Sequence, residues 1–183
     1  MPATAVTRTY LEQREPAQLR APSRVPPGAR VEQVRDCPPS FYRWLYAAVG
    51  GPWHWYERRE WSDDAIQAHL GLPTVFLRVL LFEGAPAGYY ELNRQSDGSV
   101  EVAHIGLLPE RIGKGLGGFI VAEAVRDAWA LGATRVWLHT CTLDGKAALP
   151  NYLSRGFVPF RTEDYMVDIP TSMTHRSSAS STP

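Results

Sequence analysis

The sequence offers little for a disulfide framework, a metal centre or a highly charged partner. It has only two cysteines, Cys37 and Cys141, and their wide separation favours reduced thiols over a disulfide framework. Its five histidines are scattered without the spacing of metal ligands, so no metal is expected. The 19 basic residues balance 19 acidic residues. This balance argues against nucleic acid or an anionic membrane surface as a partner.

Long apolar segments are absent as well. The most apolar run, residues 75–82, is interrupted by Arg78 and is too short to span a bilayer. Nothing in the sequence resembles a signal peptide, so we expect a cytoplasmic protein with no membrane partner. A chain of 183 residues, 44% of them hydrophobic, can bury one core. It therefore suits a single domain.

The most informative segment is a cluster of glycines, Gly113, Gly115, Gly117 and Gly118, that follows a predicted strand at 101–107 and opens a predicted helix. The first N–H groups of a helix have no intrahelical partner and lie at the positive end of its dipole. Such a helix start binds phosphate or pyrophosphate. The spacing also fits the dinucleotide-binding fingerprint, but the chain is too short after Gly118 for the rest of that fold.

Apolar periodicity and turn residues predict the other elements. Strands are predicted at residues 30–34, 74–83, 87–93 and 134–140. Helices are predicted at 40–49, from an N-cap at Ser62 to Leu70, from 116 to a left-handed end at Gly132, and from about Ala147. Residues 1–29 form a partly mobile segment in which 4–11 is β-prone and either pairs as an extra edge strand or stays unpaired. Residues 30–170 form the α/β domain, and 171–183 form a disordered tail.

Two motifs resemble the GNAT superfamily of acyl-CoA-dependent N-acyltransferases. They are Leu107-Leu108-Pro109 followed by Gly113-Lys114-Gly115-Leu116-Gly117, and Tyr152 to Gly156-Phe157 at the end of the last predicted helix. The resemblance implies a GNAT fold, a mixed and strongly twisted β-sheet flanked by helices, with acetyl-CoA as co-substrate. The residues that it places at the cofactor are Leu107, Arg111, Gly113, Lys114, Gly115, Gly117 and Gly118.

Two positions depart from the family pattern. Ile112 stands where the family usually has Gln or Arg, so phosphate binding would depend on backbone N–H groups, with Arg111 or Lys114 assisting. Gly145 stands where the family often has Asn. Both departures favour an alternative in which the chain binds acyl-CoA without turning it over. A dinucleotide-binding protein is a third alternative.

Amine acetylation needs a base, because only the neutral amine attacks a thioester and alkyl ammonium groups have pKa values well above 7. Glu101 is the first candidate, since the resemblance places a catalytic Glu on this strand; the alternative is a solvated Glu at a strand start. Strand parity predicts Glu101, Ala103, Ile105 and Leu107 on one face, with His104 on the other unless a bulge intervenes.

The resemblance makes Tyr152 the proton donor to the leaving thiolate, with core packing as the alternative. It places the oxyanion at a backbone N–H near Leu107.

The acceptor site is predicted in the aromatic segment 50–61, between the first two predicted helices. Trp53, His54 and Trp55, with His104, are the candidate substrate-binding residues. The alternative is that this segment packs under the sheet. The predicted function is acetyl transfer from acetyl-CoA to a primary amine of a small molecule or amino acid. The sequence leaves the oligomeric state open, with a homodimer among the alternatives.

Overall fold

A computed structural model describes residues 3–168. It contains seven strands: β1 Thr4–Gln13, β2 Ala29–Gln33, β3 Val75–Phe82, β4 Ala85–Arg94, β5 Val100–Leu107, β6 Val136–Cys141 and β7 Val158–Val167. It contains four α-helices: α1 Pro39–Gly50, α2 Asp63–Leu70, α3 Leu116–Ala130 and α4 Ala148–Ser154. The elements predicted between residues 30 and 154 are therefore confirmed, with boundaries shifted by one or two residues. The predicted tail at 171–183 lies outside the described residues.

The strands form one mixed sheet in the order β2-β3-β4-β5-β6-β1-β7. Every neighbouring pair is antiparallel except β5 and β6, which are parallel and joined through α3. A mixed sheet flanked by four helices confirms the predicted fold class. A single parallel pair does not support the dinucleotide-binding alternative, because that fold needs a largely parallel sheet.

Helices cover the two faces of the sheet unequally. Helices α1 and α2 pack on one side, here called the front face, around a core that includes Leu45, Ile66 and Tyr89. Helices α3 and α4 pack on the other, the back face, around a larger core that includes Ile120 and Leu138. Apolar burial on both faces explains why β4 reads as a nearly continuous buried run.

The N-terminal strand corrects the sequence prediction. Thr4–Gln13 forms a strand inside the sheet, between β6 and β7, whereas the sequence left open either an extra edge strand over residues 4–11 or no pairing. The Pro-rich stretch that follows contains a short 3₁₀ turn, Pro16–Gln18, and the backbone N–H of Arg20 donates to the carbonyl of Arg155. Strand pairing of β1 and the hydrogen bond from Arg20 to Arg155 thus attach this part of the chain to the rest of the fold. The mobility of residues 1–29 stays a prediction.

Local chemistry explains the element ends that were predicted. The Ser62 hydroxyl accepts a hydrogen bond from the Ala65 N–H and so caps α2. Glu83 and Gly84 both have positive φ, the geometry of a tight hairpin turn between β3 and β4. Gly132 has φ +78° directly after α3 and ends that helix.

Candidate active site

A cleft opens where β5 and β6 separate. The two strands pair only at Val100–Val136 and Glu101–Trp137, and beyond these pairs they diverge. The resulting cleft has a volume of about 860 Å³, and residues 102–107 of β5 line it. Because no strand of the described range pairs with this edge of β5 beyond Glu101, its backbone N–H and C=O groups are available to a ligand.

The glycine-rich start of α3 forms the back wall of the cleft. Gly113 and Gly117 line the cleft, and Gly115 is the N-cap of α3. Gly113 has φ +82° and Gly115 has φ +76°, and neither would bring an added Cβ within 4 Å of another residue. The space in front of this helix start is therefore open. Helix α4 braces it, since Asn151 Nδ2 donates to the Gly117 carbonyl at 2.9 Å.

The cations predicted to assist phosphate binding lie outside the lining of the cleft. Arg111 forms an ion pair with Glu83 at 3.5 Å and lies over the Phe82 ring, which directs its side chain toward the β3–β4 hairpin. Lys114 is exposed at the turn before α3. Ile112 and Lys146, the latter from the β6–α4 loop, do line the cleft, and Ile112 is half exposed.

Tyr152 lies at the cleft wall on α4. Its side chain is buried and packs edge-on against Phe157, and no described residue hydrogen-bonds its hydroxyl. Burial, with a contribution from the Asp144 charge, raises the pKa of Tyr152 well above its ordinary value. The phenol therefore stays protonated at neutral pH, so that the side chain can donate a proton or a hydrogen bond into the cleft.

A β-bulge in β5 corrects the predicted strand parity. His104 pairs with Glu91 and Val102 pairs with Leu92, so β5 carries one extra residue between the two pairs. Glu101 pairs with Asn93, two residues beyond Glu91 on β4. Glu101 and His104 therefore share the front face, and the prediction that Glu101 lines up with Ile105 and Leu107 is wrong.

His104 lines the cleft from the front face, between two aromatic rings. Its ring contacts Trp55 and Tyr46 edge-on, with centroids 4.9 and 5.3 Å away, and no described residue hydrogen-bonds its Nδ1. Burial, followed by the positive charge of Arg58, lowers the pKa of His104 to about 3. The imidazole is therefore neutral across the physiological range.

This neutral histidine should make folding stability depend on pH. The unfolded chain binds a proton below pH 6.5, whereas folded His104 does so only near pH 3, so stability should fall as pH decreases from 6.5. Between pH 7 and 5.5 we expect His104 to cost about 1 kcal/mol of unfolding free energy. Urea denaturation of the wild type and His104→Gln at both pH values measures this. Equal pH dependence in the two proteins would contradict the assignment.

Glu101 lies beside the cleft but outside its lining. Its carboxylate accepts a hydrogen bond from Gln95 Nε2 at 3.3 Å. Burial raises its pKa, although the positive charge of Arg58 opposes this. A carboxylate with a raised pKa is a stronger base than an ordinary one.

The aromatic segment 50–61 both lines the cleft and packs against the sheet. A Cβ at Gly50 would lie 2.2 Å from the Trp55 ring, so the indole fits only because residue 50 is glycine. A Cβ at Gly145 would lie 3.1 Å from the Trp53 ring. Glycine at position 145, where the family often has Asn, thus leaves room for the Trp53 ring. This ring comes from the segment between α1 and α2 and contacts the β6–α4 loop. His54 Nδ1 and the Tyr56 hydroxyl form a hydrogen bond at 2.7 Å.

A buried ionic network fixes this segment to the sheet. The Glu91 carboxylate is fully buried and accepts hydrogen bonds from Arg58 at 2.8 Å and from the Tyr42 hydroxyl at 2.8 Å. It also contacts His69 Nε2 at 2.9 Å. Burial alone would raise the pKa of Glu91, but His69 and the charge of Arg58 lower it to about 2. The network anchors Arg58, and with it the neighbouring cleft residues.

The sequence interpretation missed several of the cleft residues. The polar and aromatic side chains in the lining that it did not consider include Arg8, Tyr46 and Tyr165. A signal existed for the ionic network, because Glu91 interrupts an otherwise apolar strand. No local pattern marks Arg8 or Tyr165, since their place in the cleft depends on how β1, β6 and β7 pair.

Residues 3–168 contain neither a candidate metal site nor a membrane-spanning helix. No group of three or more His, Cys, Asp or Glu side chains in this range is placed to hold a metal ion. Within the same range, every helix is too short or too polar to cross a membrane.

Comparison with solved structures places this architecture among acetyltransferases. A GCN5-related N-acetyltransferase from Kribbella flavida is 25% identical and aligns over 90% of this chain and 58% of its own, with a TM-score of 0.65. Spermidine N-acetyltransferase from Vibrio cholerae, solved in complex with CoA and spermine, is 20% identical over 72% of this chain and 81% of its own, with a TM-score of 0.59.

A tandem GNAT protein from the clavulanic acid biosynthesis pathway is 12% identical over 91% of this chain, with a TM-score of 0.58. The chain spans 54% of that protein's length, and 58% of the Kribbella protein's. The search of curated proteins found no match.

The model of the Acetyltransferase (GNAT) family matches residues 38–157, which is more than half of the chain and includes the cleft from Tyr46 to Tyr152. The chain therefore belongs to the GNAT acetyltransferase family.

Proposed function

We propose that this protein transfers the acetyl group of acetyl-CoA to a primary amine of a small molecule or amino acid. One observation carries the proposal: a single cleft joins the glycine-rich start of α3 on the back face to His104 and the aromatic wall on the front face. A thioester held from the back would meet an amine that enters from the front. The balanced charge of the chain favours a small acceptor over nucleic acid.

The residues of the back wall suit the phosphates and the pantetheine arm of CoA. Backbone N–H groups near Gly113 and Gly115 would hold the pyrophosphate, with the Lys146 ammonium at the cleft wall. The unpaired edge of β5 would hydrogen-bond the amide groups of pantetheine, much as a neighbouring strand would. The Vibrio cholerae relative was solved with CoA, which supports a CoA thioester as the donor.

Glu101 and His104 would have different roles toward the acceptor amine: His104 would contact it, and Glu101 would accept its proton. Neutral His104 lines the cleft, where its imidazole ring would contact the acceptor amine. Glu101 is the stronger base of the two, because its pKa is raised whereas that of His104 is lowered. We therefore assign Glu101 as the group that receives the ammonium proton, through water, from the front face.

Two groups would stabilise the departing thiolate and the oxyanion. The protonated phenol of Tyr152 would donate to the sulfur as the carbon–sulfur bond breaks. Backbone N–H groups at the open edge of β5, near Leu107, would donate to the oxyanion that forms on the acetyl carbonyl.

Glu101→Gln tests the base. We expect kcat/KM to fall roughly 10- to 100-fold at pH 7, because little free amine is present there without a base, and to recover by about pH 9.5, where free amine is abundant. A pH–rate profile with saturating acetyl-CoA measures the effect. Unchanged rates across the profile would remove Glu101 from the mechanism. The same profile for His104→Gln would then show whether His104 takes its place.

Release of free thiol from acetyl-CoA across a panel of primary amines tests the function as a whole. Turnover with any amine identifies an acetyltransferase and its acceptor together. Stabilisation of the protein by acetyl-CoA without thiol release would instead support the alternative of an acyl-CoA-binding module. The outward direction of Arg111 and the apolar Ile112 at the helix start are the observations that favour this alternative.

A further inference from the structure

The N-terminal strand brings a cation to the acceptor side of the cleft. In β6, Val136 and Leu138 are buried in the back-face core, so the alternating residues Trp137, His139 and Cys141 lie on the front face. Arg8 of β1 pairs with Cys141, and directly paired residues share a face. Arg8 therefore lies on the same face as His104, opposite to the glycines of α3.

Arg8 lines the cleft, and no carboxylate of residues 3–168 forms an ion pair with it. Its guanidinium lies 4.9 Å above the Tyr165 ring, and its Nη2 donates a long hydrogen bond of 3.4 Å to the Tyr165 hydroxyl. Its Nε is buried and forms no hydrogen bond with the part of the chain that the structure describes. A buried donor without a partner costs free energy.

None of the acidic side chains around Arg8 forms an ion pair with it among residues 3–168. Glu163, its partner on β7, accepts a hydrogen bond from the Tyr10 hydroxyl at 2.7 Å and pairs with Arg161. Asp144, at the cleft wall, accepts from the Thr140 hydroxyl at 2.6 Å and from the Cys141 N–H at 2.9 Å. Glu57 also lines the cleft, but no ion pair joins it to Arg8 among residues 3–168. The hydrogen-bond partners of Arg8 among the described residues are therefore the tyrosines Tyr165 and Tyr10, and no carboxylate pairs with its charge there.

We propose that Arg8 binds a carboxylate on the acceptor, which makes the acceptor an amino acid or another amine that carries a carboxylate. The inference rests on the proposed acetyl transfer and narrows its substrate class. The planar guanidinium matches a carboxylate with parallel hydrogen bonds, and stacking on Tyr165 fixes its plane. The residue comes from β1, which precedes the segment that the family model matches.

The experiment compares common L-amino acids with the amines that remain when their carboxylate is removed. For each pair, kcat/KM is measured with the wild type and with Arg8→Gln. The wild type should prefer the acid, and Arg8→Gln should reduce the acid-to-amine ratio roughly 10- to 100-fold while leaving the decarboxylated amine nearly unchanged. Because each ratio is compared between two proteins, differences in intrinsic amine reactivity cancel.

Arg161→Gln is the matched control. Arg161 lies over the Tyr10 ring at 5.1 Å on the neighbouring strand and does not line the cleft, so the ratio should stay at its wild-type value. Arg8→Lys keeps the charge but loses the planar pair of donors, and it should lower the ratio by less than Arg8→Gln. Arg8→Lys also tests the proposal if Arg8→Gln fails to fold. A wild-type preference for the decarboxylated amine, or a ratio that neither Arg8 variant changes, would overturn the inference.

A binding measurement separates this inference from the proposed function. Calorimetric titration of the CoA-saturated protein with the same pairs needs no turnover. Binding of an amino acid that depends on Arg8, without acetylation of any amine, would support the carboxylate site and refute the enzyme. Acetylation without a preference for the carboxylate would refute the carboxylate site but not the enzyme activity. If no amino acid is bound or acetylated, the carboxylate site is also refuted.

Discussion

Gly115→Asp is expected to abolish the stabilisation of this protein by acetyl-CoA. In the wild type, ligand at about 100 times its dissociation constant should add about 2.7 kcal/mol, which for a chain of this length is roughly 5 to 10 °C in Tm. Gly115 is the N-cap of α3, and an added side chain there projects into open space. An aspartate would place a negative charge where the phosphates bind. The shift should fall to zero, as measured by thermal unfolding with and without acetyl-CoA.

Gly84→Asp is the control for this variant. Gly84 has φ +81° and an equally open Cβ direction, so it bears the same backbone strain as Gly115, but it lies in the β3–β4 hairpin. Both variants should lose similar stability without ligand, and only Gly84→Asp should keep the full shift. NAD should stabilise neither variant nor the wild type. An undiminished shift in Gly115→Asp would place the phosphates elsewhere.

The start of α3 could be predicted from sequence because its signal is local. Positive φ at Gly113 and Gly115, the helix that follows and its end at Gly132 each depend on residues a few positions apart. The same is true of the Ser62 cap and the Glu83-Gly84 turn. Where conformation is decided by neighbours in sequence, the sequence predicted the element correctly, while phosphate binding at the start of α3 stays a prediction.

The arrangement of the front face could not be predicted because it depends on pairing between distant segments. The bulge in β5 exists only relative to β4, and it turns His104 toward the same side as Glu101. The position of β1 between β6 and β7 puts Arg8 in the cleft, and nothing in residues 4–11 specifies those two neighbours. One extra residue in a strand moves every later side chain to the opposite face of the sheet. Faces assigned from the sequence alone are therefore wrong beyond such a bulge.

The ionic network shows the same limit for side chains. Glu91 is buried with partners from α1, α2 and the segment between them, and each partner alone reads as an ordinary polar residue. A buried carboxylate without these partners would be strongly destabilising, so the three elements must assemble together. The position of the aromatic wall, which decides where an acceptor can enter, follows from that assembly.

Tyr152→Phe is expected to lower acetyl transfer roughly 10- to 1,000-fold, as for the loss of a general acid. The substitution keeps the ring and its edge-on contact with Phe157 and removes only the hydroxyl of this cleft-lining residue. Stability should therefore hardly change. The pKa of Tyr152 is raised above its ordinary value, so the phenol stays protonated throughout an assay from pH 6 to 9. The loss should accordingly be the same at both ends of that range, in contrast to the pH-dependent loss in Glu101→Gln.

Tyr89→Phe provides the comparison that separates catalysis from packing. The Tyr89 hydroxyl is buried in the front-face core, has no hydrogen-bond partner among residues 3–168 and does not line the cleft. Its removal should leave kcat unchanged and stability equal or higher, because an unpaired buried hydroxyl is lost. Rates and urea denaturation of both variants decide the role of Tyr152. Tyr152 is a packing residue if Tyr152→Phe leaves the rate of acetyl transfer unchanged, or if the rate falls only when the stability falls too. In either case the thiolate must take its proton from another group.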